Sequence, residues 1–268
     1  MTAAKEYYLE GNLTKAVEKI TEEVKDAPSS AAKRAFLVEL LCFNGEWERA
    51  DKQLNALLSL DEKSALTVGT WRQLIRAAQA RDDVYNNGAI PEVIELPTER
   101  IELALKLQLA ERENDQKQCD KLLNAINALE TKNEYSINNA VVSDWRDLDD
   151  LNSGILELLG TNGKYFWVDF DQVESIEFDE PTRPLDLLWR KAAIALKSGT
   201  AGEVFVPAIY PSQKTEDDLL KLGRKTDWIE KGSLVKGEGL RTWLVGDDAV
   251  SLMDIKNIEL ATAVEAIA

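Results

Sequence analysis

Histidine is absent from this 268-residue chain, and its absence removes several classes of chemistry. A Ser-His-Asp triad, a Cys-His pair and a zinc or iron site built on imidazole all need a histidine side chain. Any catalysis would have to rest on carboxylates, lysine, tyrosine or a metal ion held by oxygen ligands. The short GEG segment (237–239) lacks the third glycine of a dinucleotide-binding fingerprint. We therefore expect no cofactor.

Cysteine and long apolar runs are also scarce. Cys42 and Cys119 are the only two cysteines, and both lie beside leucine and alanine in helix-like segments. We interpret them as small buried hydrophobic side chains rather than reactive thiols. No apolar run approaches the roughly 18–20 residues that span a bilayer. The start of the chain, MTAAKEYYLEGN (1–12), does not combine a basic region with an apolar one. We expect a cytoplasmic protein with no membrane partner.

Positive charge is in deficit. The chain has 32 Lys and Arg against 48 Asp and Glu, which gives a net charge of −16 and a pI near 4.6. Such a surface repels phosphate backbones and anionic lipid head groups. We therefore expect no nucleic-acid partner and favour a basic or amphipathic protein segment as the partner.

A repeat is present in the first half of the chain. The segments EGNLTKAVEKITEEV (10–24) and NGEWERADKQLNALL (44–58) correspond at an offset of 34 residues. Four pairs of residues carry the match: Gly11 with Gly45, Leu13 with Trp47, Ala16 with Ala50, and Ile20 with Leu54. This period is typical of tetratricopeptide-like helix pairs, in which each pair covers the apolar face of its neighbour. The glycine lets the first helix end in a left-handed turn, and the alanine allows close helix contact.

The apolar spacing predicts a series of helices. They cover about 2–10, 13–26, 30–43, 47–59 and 65–86, followed by a break at 86–99 and another helix pair within 98–130. In that last pair Asn114 takes the place of the turn glycine and Cys119 the place of the small residue. It is therefore a degenerate copy of the repeat.

The second half has a different character. Five of the seven tryptophans lie there, and alternating apolar residues predict strands. The predicted strands cover 164–170, 173–178, 203–211, 241–246 and 250–260. We expect a helix over 184–198 and either a helix or a loop over 215–228. The fold class is therefore an N-terminal tetratricopeptide-like α/α superhelix (1–135), a linker around 131–140, and a C-terminal α+β domain (136–268) with a small antiparallel sheet or barrel.

Two acidic groups are candidates for metal or acid–base chemistry. The first contains Asp144, Asp147, Asp149 and Asp150, whose spacing does not match a calcium-binding loop. In so acidic a chain we favour a solvated helix start for it. Asp169 and Asp171 would share one face of a strand, and a solvent-facing strand end is the favoured interpretation. A metal-dependent hydrolase or small-ligand domain that uses these residues is the alternative hypothesis.

The string NGKYFWVDFDQVESIEFDEPTRPLDLLWRKA (162–192) resembles the ImpE/TagJ family, also called SciE, of bacterial type VI secretion accessory proteins. Similar family-like strings stand before and after it along the chain. They are FLVELLCFNGEWERADKQLNAL (36–57), VFVPAIYPSQ (204–213), LLKLGRKTDW (219–228) and KGEGLRTWLVGDDAVSLMDIKNIEL (236–260). DLDDLNSGILE (147–157) departs from the family's usual form in its middle.

The resemblance implies a helical superhelix followed by an α+β domain, and a role without catalysis. It implies that the partner is the N-terminal helix of the small subunit of the contractile sheath. It also implies a link between the sheath and the ClpV-type ATPase that disassembles it. The acidic, groove-forming repeat and the lack of a catalytic constellation are compatible with these expectations.

The repeat pattern predicts where a partner helix binds. In tetratricopeptide-like repeats the first helix of each pair lines the concave face, which takes a peptide or an amphipathic helix. The predicted partner-binding residues are Ala35, Glu39, Cys42, Phe43, Trp71, Arg72 and Arg76. An apolar pocket near Phe43 and Trp71 would supply affinity, and the charges around it would set the register. A third hypothesis is a homo-oligomeric scaffold that pairs through aromatic side chains of the second half.

Overall fold

The first half of the chain is helical. The computed structural model describes residues 2–129, 133–211 and 215–261. Before residue 130, the described residues form seven α-helices: α1 (Ala3–Leu9), α2 (Leu13–Asp26), α3 (Ala31–Phe43), α4 (Trp47–Leu60), α5 (Ala65–Asn87), α6 (Glu99–Arg112) and α7 (Gln116–Asn127). These bounds lie close to the predicted ones, so the helix predictions are confirmed.

Local chemistry sets the start of most of these helices. Five helices follow a residue whose side chain accepts a hydrogen bond from the backbone N–H three residues later. These residues are Thr2 before α1, Asn12 before α2, Ser30 before α3, Thr98 before α6 and Asp115 before α7. Each bond satisfies one of the donors that a helix start leaves without a partner.

Left-handed residues join the helices of each pair. Gly11, Gly45 and Asn114 have φ angles of 85°, 69° and 58° and lie between α1 and α2, α3 and α4, and α6 and α7. Glycine and, less often, asparagine adopt this conformation without the strain that other side chains meet. The predicted turn positions are therefore confirmed, including the asparagine of the degenerate copy.

The helices stack as the repeat pattern indicates. The pairs α1–α2, α3–α4 and α6–α7 each pack together, and α2 packs on α3 as α4 does on α5. The predicted small-residue positions Ala16, Ala50 and Cys119 are all completely buried, so the two helices of a pair can approach closely there.

The second half is rich in strands. Across the whole described chain the strands are β1 (Glu92–Val93), β2 (Tyr135–Ile137), β3 (Ala140–Val142), β4 (Trp145–Asp147), β5 (Ile155–Gly160), β6 (Tyr165–Asp169), β7 (Val173–Phe178), β8 (Trp189–Leu196), β9 (Ala201–Pro207), β10 (Thr226–Lys231), β11 (Leu234–Gly239), β12 (Thr242–Val245), β13 (Asp248–Ser251) and β14 (Asn257–Leu260). A short helix, α8 (Asp218–Lys221), precedes β10, in the segment predicted as helix or loop.

Most of these strands form one sheet. Within the described residues its order is β1-β6-β5-β9-β8-β7-β14-β2-β3, and only the β1–β6 pair is parallel. A hairpin, β10–β11, and a smaller sheet, β13-β12-β4, accompany it. The helical first half followed by an α+β second half is as predicted. The main sheet is wider than expected, because several of its strands are too short or too continuously buried to show alternation.

The prediction of a helix over 184–198 is wrong. The structure has a 3₁₀ turn at Pro184–Leu187 followed by strand β8, which pairs with β7 on one side and β9 on the other. The alanines and leucine of the segment WRKAAIAL favour a helix locally. Its side chains nonetheless alternate toward buried and accessible faces in the sheet, so tertiary pairing decides the conformation.

The interpretation of 144–157 as a solvated helix start is also wrong. This segment contains β4, a turn and β5, and Asp147 and Asp149 are buried, with exposed fractions of 0% and 3%. The sequence signal of a helix N-terminus was misleading because the same acidic residues serve here as hydrogen-bond acceptors for a tight turn.

Side chains from both halves share one core. It joins Leu74 and Ile75 of α5 to Ile155 and Trp167 of the sheet, and to Leu185 in the 3₁₀ turn. A second core lies within the sheet, and a third lies between α6 and α7 and the hairpin. The division at residue 135 stays a prediction, and residues 130–132, which include the start of the predicted linker, lie outside the described residues.

Candidate partner-binding surface

The predicted partner-binding residues lie on α3 and α5, and most are covered by the second half of the chain. Glu39, Cys42, Phe43 and Trp71 have exposed fractions of only 2–5%. Ala35 and Arg72 are partly exposed, and Arg76 is exposed. The covering segment is the connection between β7 and β8, including the 3₁₀ turn, which packs against α3.

Arg183 makes the central contact of this covered face. Its Nε lies 2.8 Å from Oε1 of Glu39, and its guanidinium lies 4.5 Å from the ring centroid of Trp71. Burial raises the pKa of Glu39, and the hydrogen bond from Arg183 opposes that rise. Leu185 enters the shared core two residues later. The face on which we expected a partner helix is therefore occupied by the chain's own residues.

A buried charge cluster ties α5 to the sheet. Arg81 of α5 makes a two-pronged contact with Glu157 of β5, with Nε–Oε1 and Nη2–Oε2 distances of 2.7 and 2.8 Å. Arg241 also contacts Glu157, and its Nη1 lies 3.3 Å from Oδ2 of Asp147. Burial by itself would raise the pKa of Glu157, but the two guanidinium groups hold it far below its usual range. These charges are stabilised by one another and not by water.

Hydrogen bonds extend the cluster to aromatic side chains. The hydroxyl of Tyr210 donates to Asp147 Oδ1 at 2.7 Å, and Trp243 Nε1 donates to Oδ2 of the same carboxylate at 3.2 Å. Tyr165 donates to Glu157. Sequence reasoning did not assign Arg81, Glu157 or Arg241, because no spacing pattern connects residues that lie 76–84 positions apart. The arrangement joins α5 to the sheet and to the segment around Arg241.

Asp169 and Asp171 do not form a solvent-facing strand pair. Asp169 ends β6, accepts hydrogen bonds from Thr98 Oγ1 at 2.6 Å and from the backbone N–H of Asp171 at 3.0 Å, and lies 3.3 Å from Arg100. Asp171 accepts from Asn133. Asp169 thus holds the start of α6 against the sheet, and Asp171 holds the segment that precedes β2. Within the described ranges, no group of three or more His, Cys, Asp or Glu residues could hold a metal ion.

An exposed apolar groove lies between the C-terminal end of α5 and α6. Its volume is about 380 Å³, and it is lined by apolar side chains with charged residues at its rim. The apolar residues are Val84, Ala89, Ile90, Leu105 and Leu109, and the charged ones are Glu102, Lys106 and Arg112. Ile90 is 77% exposed and Leu109 is 45% exposed. Exposed apolar side chains around a concavity are typical of interaction sites.

Glycine shapes one wall of this groove. Gly88 has a φ angle of 75° and ends α5, and a Cβ atom at this position would lie 2.7 Å from the guanidinium nitrogens of Arg112. Because glycine carries no side chain, Arg112 of α6 can lie against the end of α5. This contact holds the two helix ends at a set spacing with the groove between them.

Comparisons with known proteins relate the chain to the ImpE and TagJ proteins. The family model described as "ImpE protein" matches residues 139–259. The type VI secretion system accessory component TagJ of Pseudomonas aeruginosa is 28% identical over 257 residues, which cover 96% of this chain and 90% of TagJ. Residues 139–259 thus match the ImpE family, and the whole chain is similar to TagJ. A crystal structure of protein VPA1032 from Vibrio parahaemolyticus has a TM-score of 0.91 and 31% identity, covering 98% of this chain and 99% of that one.

The range matched by the ImpE model contains some of the features described above and leaves out others. It begins just before β3 and ends within β14, so it includes Asp147, Glu157 and Arg241 of the charge cluster. Arg81 and the groove between α5 and α6 precede it. The whole-chain likeness to TagJ and VPA1032 extends across both halves. No helix in the described part of the chain is long and apolar enough to cross a membrane.

Proposed function

We propose that this protein is a member of the ImpE/TagJ family and a non-enzymatic adaptor of the type VI secretion apparatus. It acts in the cytoplasm by binding the N-terminal helix of the small subunit of the contractile sheath, and it links the sheath to the ClpV-type ATPase that disassembles it. The name of the TagJ relative, an accessory component of this secretion system, supports the role. The helical first half, with its stacked pairs, supports protein binding as the activity.

The observation that carries the proposal is the exposed apolar groove between α5 and α6. An amphipathic helix docks by placing apolar side chains from one face into such a groove. A volume of about 380 Å³ accommodates one or two large apolar side chains of a partner. Ile90 and Leu109 expose enough apolar surface to gain free energy when a partner covers them. We therefore place the sheath helix in this groove.

The concave face remains a second candidate for the same partner. Ala35, Arg72 and Arg76 stay accessible there, and the two arginines border a cavity of about 340 Å³ between α4 and α5. Binding at Phe43 or Trp71 would require the segment around Arg183 and Leu185 to move out of the shared core. We favour the α5–α6 groove because it is open without any rearrangement, and a preformed site binds at lower cost.

The overall charge supports a basic or amphipathic partner. A net charge of −16 attracts a helix with lysine or arginine on its polar face and raises its rate of association. The affinity would still come from apolar anchors, since charged contacts at the rim of an interface contribute little.

Calorimetric titration with a peptide of the sheath subunit's N-terminal helix tests the proposal. Wild-type protein should bind it, and Ile90→Asp should bind at least about tenfold more weakly because a charge replaces an apolar contact. Leu96→Asp is the matched control: Leu96 is 88% exposed, follows Ile90 in the same connection and does not line the groove. No binding to wild type would refute the adaptor role, and equal binding by wild type and Ile90→Asp would refute the site.

A further inference from the structure

A second cavity lies beside the apolar groove. Its volume is about 420 Å³, and it separates α6 from the hairpin β10–β11. Its lining is more polar than that of the groove and includes Gln108, Glu111, Asp149, Ile229 and Lys236. Ile229 of β10 is 42% exposed, so this cavity also has an apolar side chain that a partner could cover.

The cavity is held open by contacts on its far wall. Lys236 of β11 lies 2.8 Å from Oε1 of Glu111, and the backbone N–H of Gly237 donates to Oδ2 of Asp149 at 2.9 Å. The first contact joins β11 to α6, and the second joins it to the turn before β5. Both walls are thus set before any partner arrives, which lowers the entropy lost on binding.

Gln108 connects the two concavities. Among the described residues it alone lines both, together with Leu105 and Leu109 in the groove and with Glu111 in the cavity. Its exposed fraction is 8%, and among the described residues its Nε2 has no hydrogen-bond partner. A buried amide donor without an acceptor is unfavourable and is rare in folded proteins. Nε2 is itself covered, so an oxygen atom brought by a partner would satisfy it once the amide rotates toward the cavity.

We infer that the docking surface extends from the groove across Gln108 into the second cavity. The bound helix places a side-chain oxygen acceptor against Gln108 Nε2, within about one helical turn of the apolar side chain that enters the groove. This inference rests on the proposed function, because it assumes that the sheath helix occupies the groove. It specifies the chemistry of that helix: two apolar anchors flanking an amide, hydroxyl or carboxylate side chain. The contact thereby spans the helical half and the hairpin.

Substitution of Gln108 by methionine separates a binding role from a structural one. Methionine keeps the length of the side chain and removes the amide, so the free protein should lose an unsatisfied polar group. Its melting temperature should be unchanged or higher by up to about 3 °C. Its affinity for the helix peptide should fall about tenfold, the loss of one hydrogen bond. Gln108→Leu provides a second variant should methionine fail to fold.

Gln116→Met is the matched control. Gln116 also has buried amide atoms without hydrogen-bond partners in the described structure, packs against Gly232 in the hairpin turn, and lines neither concavity. Its substitution should leave the peptide affinity at the wild-type value. A wild-type affinity for Gln108→Met and Gln108→Leu would overturn the inference while leaving the adaptor role intact. A lower melting temperature in both variants would assign Gln108 a structural role and overturn it too.

Alanine substitution along the peptide identifies the acceptor. One polar position should weaken binding to wild-type protein and have no further effect on Gln108→Met, because the hydrogen bond is already absent. Additive effects at every polar position would overturn the inference. The Ile90→Asp result judges the groove separately, so failure of the proposed site and failure of this contact can be told apart.

Discussion

The covered face of α3 and α5 differs from the open face of α6 in whether its side chains have contact partners. On the covered face, Glu39 and Trp71 each contact Arg183, and Arg81 on the same helix as Trp71 has its charge matched by Glu157. On the open face, Ile90 and Leu109 lack cover, and Gln108 has a donor without an acceptor in the described structure. The difference indicates that α3 and α5 hold the second half through these contacts, while apolar surface stays open in the groove between α5 and α6.

The largest expected effect, on the free energy of unfolding, comes from replacing Arg81 of α5. Arg81→Met should lower the free energy of unfolding by about 3–5 kcal/mol, because it removes the two-pronged partner of a fully buried carboxylate. Urea denaturation measures it. Arg76→Met, an exposed position on the same helix, should change stability by less than about 0.5 kcal/mol. Equal stability of the two variants would mean that the cluster does not join the halves.

The buried carboxyl of Asp149 should make the stability of the protein depend on pH. Burial and the nearby Asp147 raise the pKa of Asp149 to about 7 in the folded protein. Because the folded state binds this proton more tightly than the unfolded chain does, the contribution of Asp149 to stability falls as pH rises from about 4 to 7. Relative to wild type, Asp149→Asn should therefore gain about 2–4 kcal/mol between these limits. Denaturation at several pH values checks it, and a constant difference would contradict it.

Arg183 decides between the two candidate docking faces. Arg183→Ala should lower stability by about 1–2 kcal/mol, because it leaves the buried Glu39 without its charged partner. If the sheath helix binds in the α5–α6 groove, its affinity for the variant should equal that for wild type. A tighter complex would show that the segment around Arg183 competes with the partner, and would return the binding site to the concave face.

The smallest expected effect concerns the acidic surface. Association of the helix peptide should slow by about tenfold between about 50 mM and 500 mM NaCl, because salt screens the attraction between an acidic protein and a basic helix. Dissociation should change little, since the apolar anchors are insensitive to screening. Stopped-flow fluorescence separates the two rates. An association rate independent of salt would show that the partner's polar face is not basic.

Much of the helical half was predictable from the sequence alone. Its signals are local or periodic: left-handed turns at Gly11, Gly45 and Asn114, a small residue in each pair, and a cap before most helices. Strands β6 and β7 were equally clear from their alternation. β8 was missed because its alanine-rich segment favours a helix until two neighbouring strands pair with it. The strands between 135 and 160 were missed because they are short or buried on both faces.

The candidate site was less predictable. The repeat pattern placed the partner on α3 and α5, and only the folded chain brings Arg183 to Glu39 across 144 sequence positions. The groove between α5 and α6 depends on Gly88, Ile90 and Arg112, whose joint placement has no periodic signature. The helix pattern indicates only that Gln108 faces inward. That its Nε2 lacks an acceptor among the described residues is seen only in the three-dimensional structure.

By itself the sequence determined the helices, their turns, the exclusion of histidine chemistry and the acidic character of the surface. These properties depend on residue types and on spacings within one or two turns, which physical chemistry constrains locally. The tertiary structure decided which helix face is buried, which acidic residues are shielded from water and where apolar surface stays open. Those outcomes depend on contacts between distant segments, and a side chain's burial is a property of everything that packs around it.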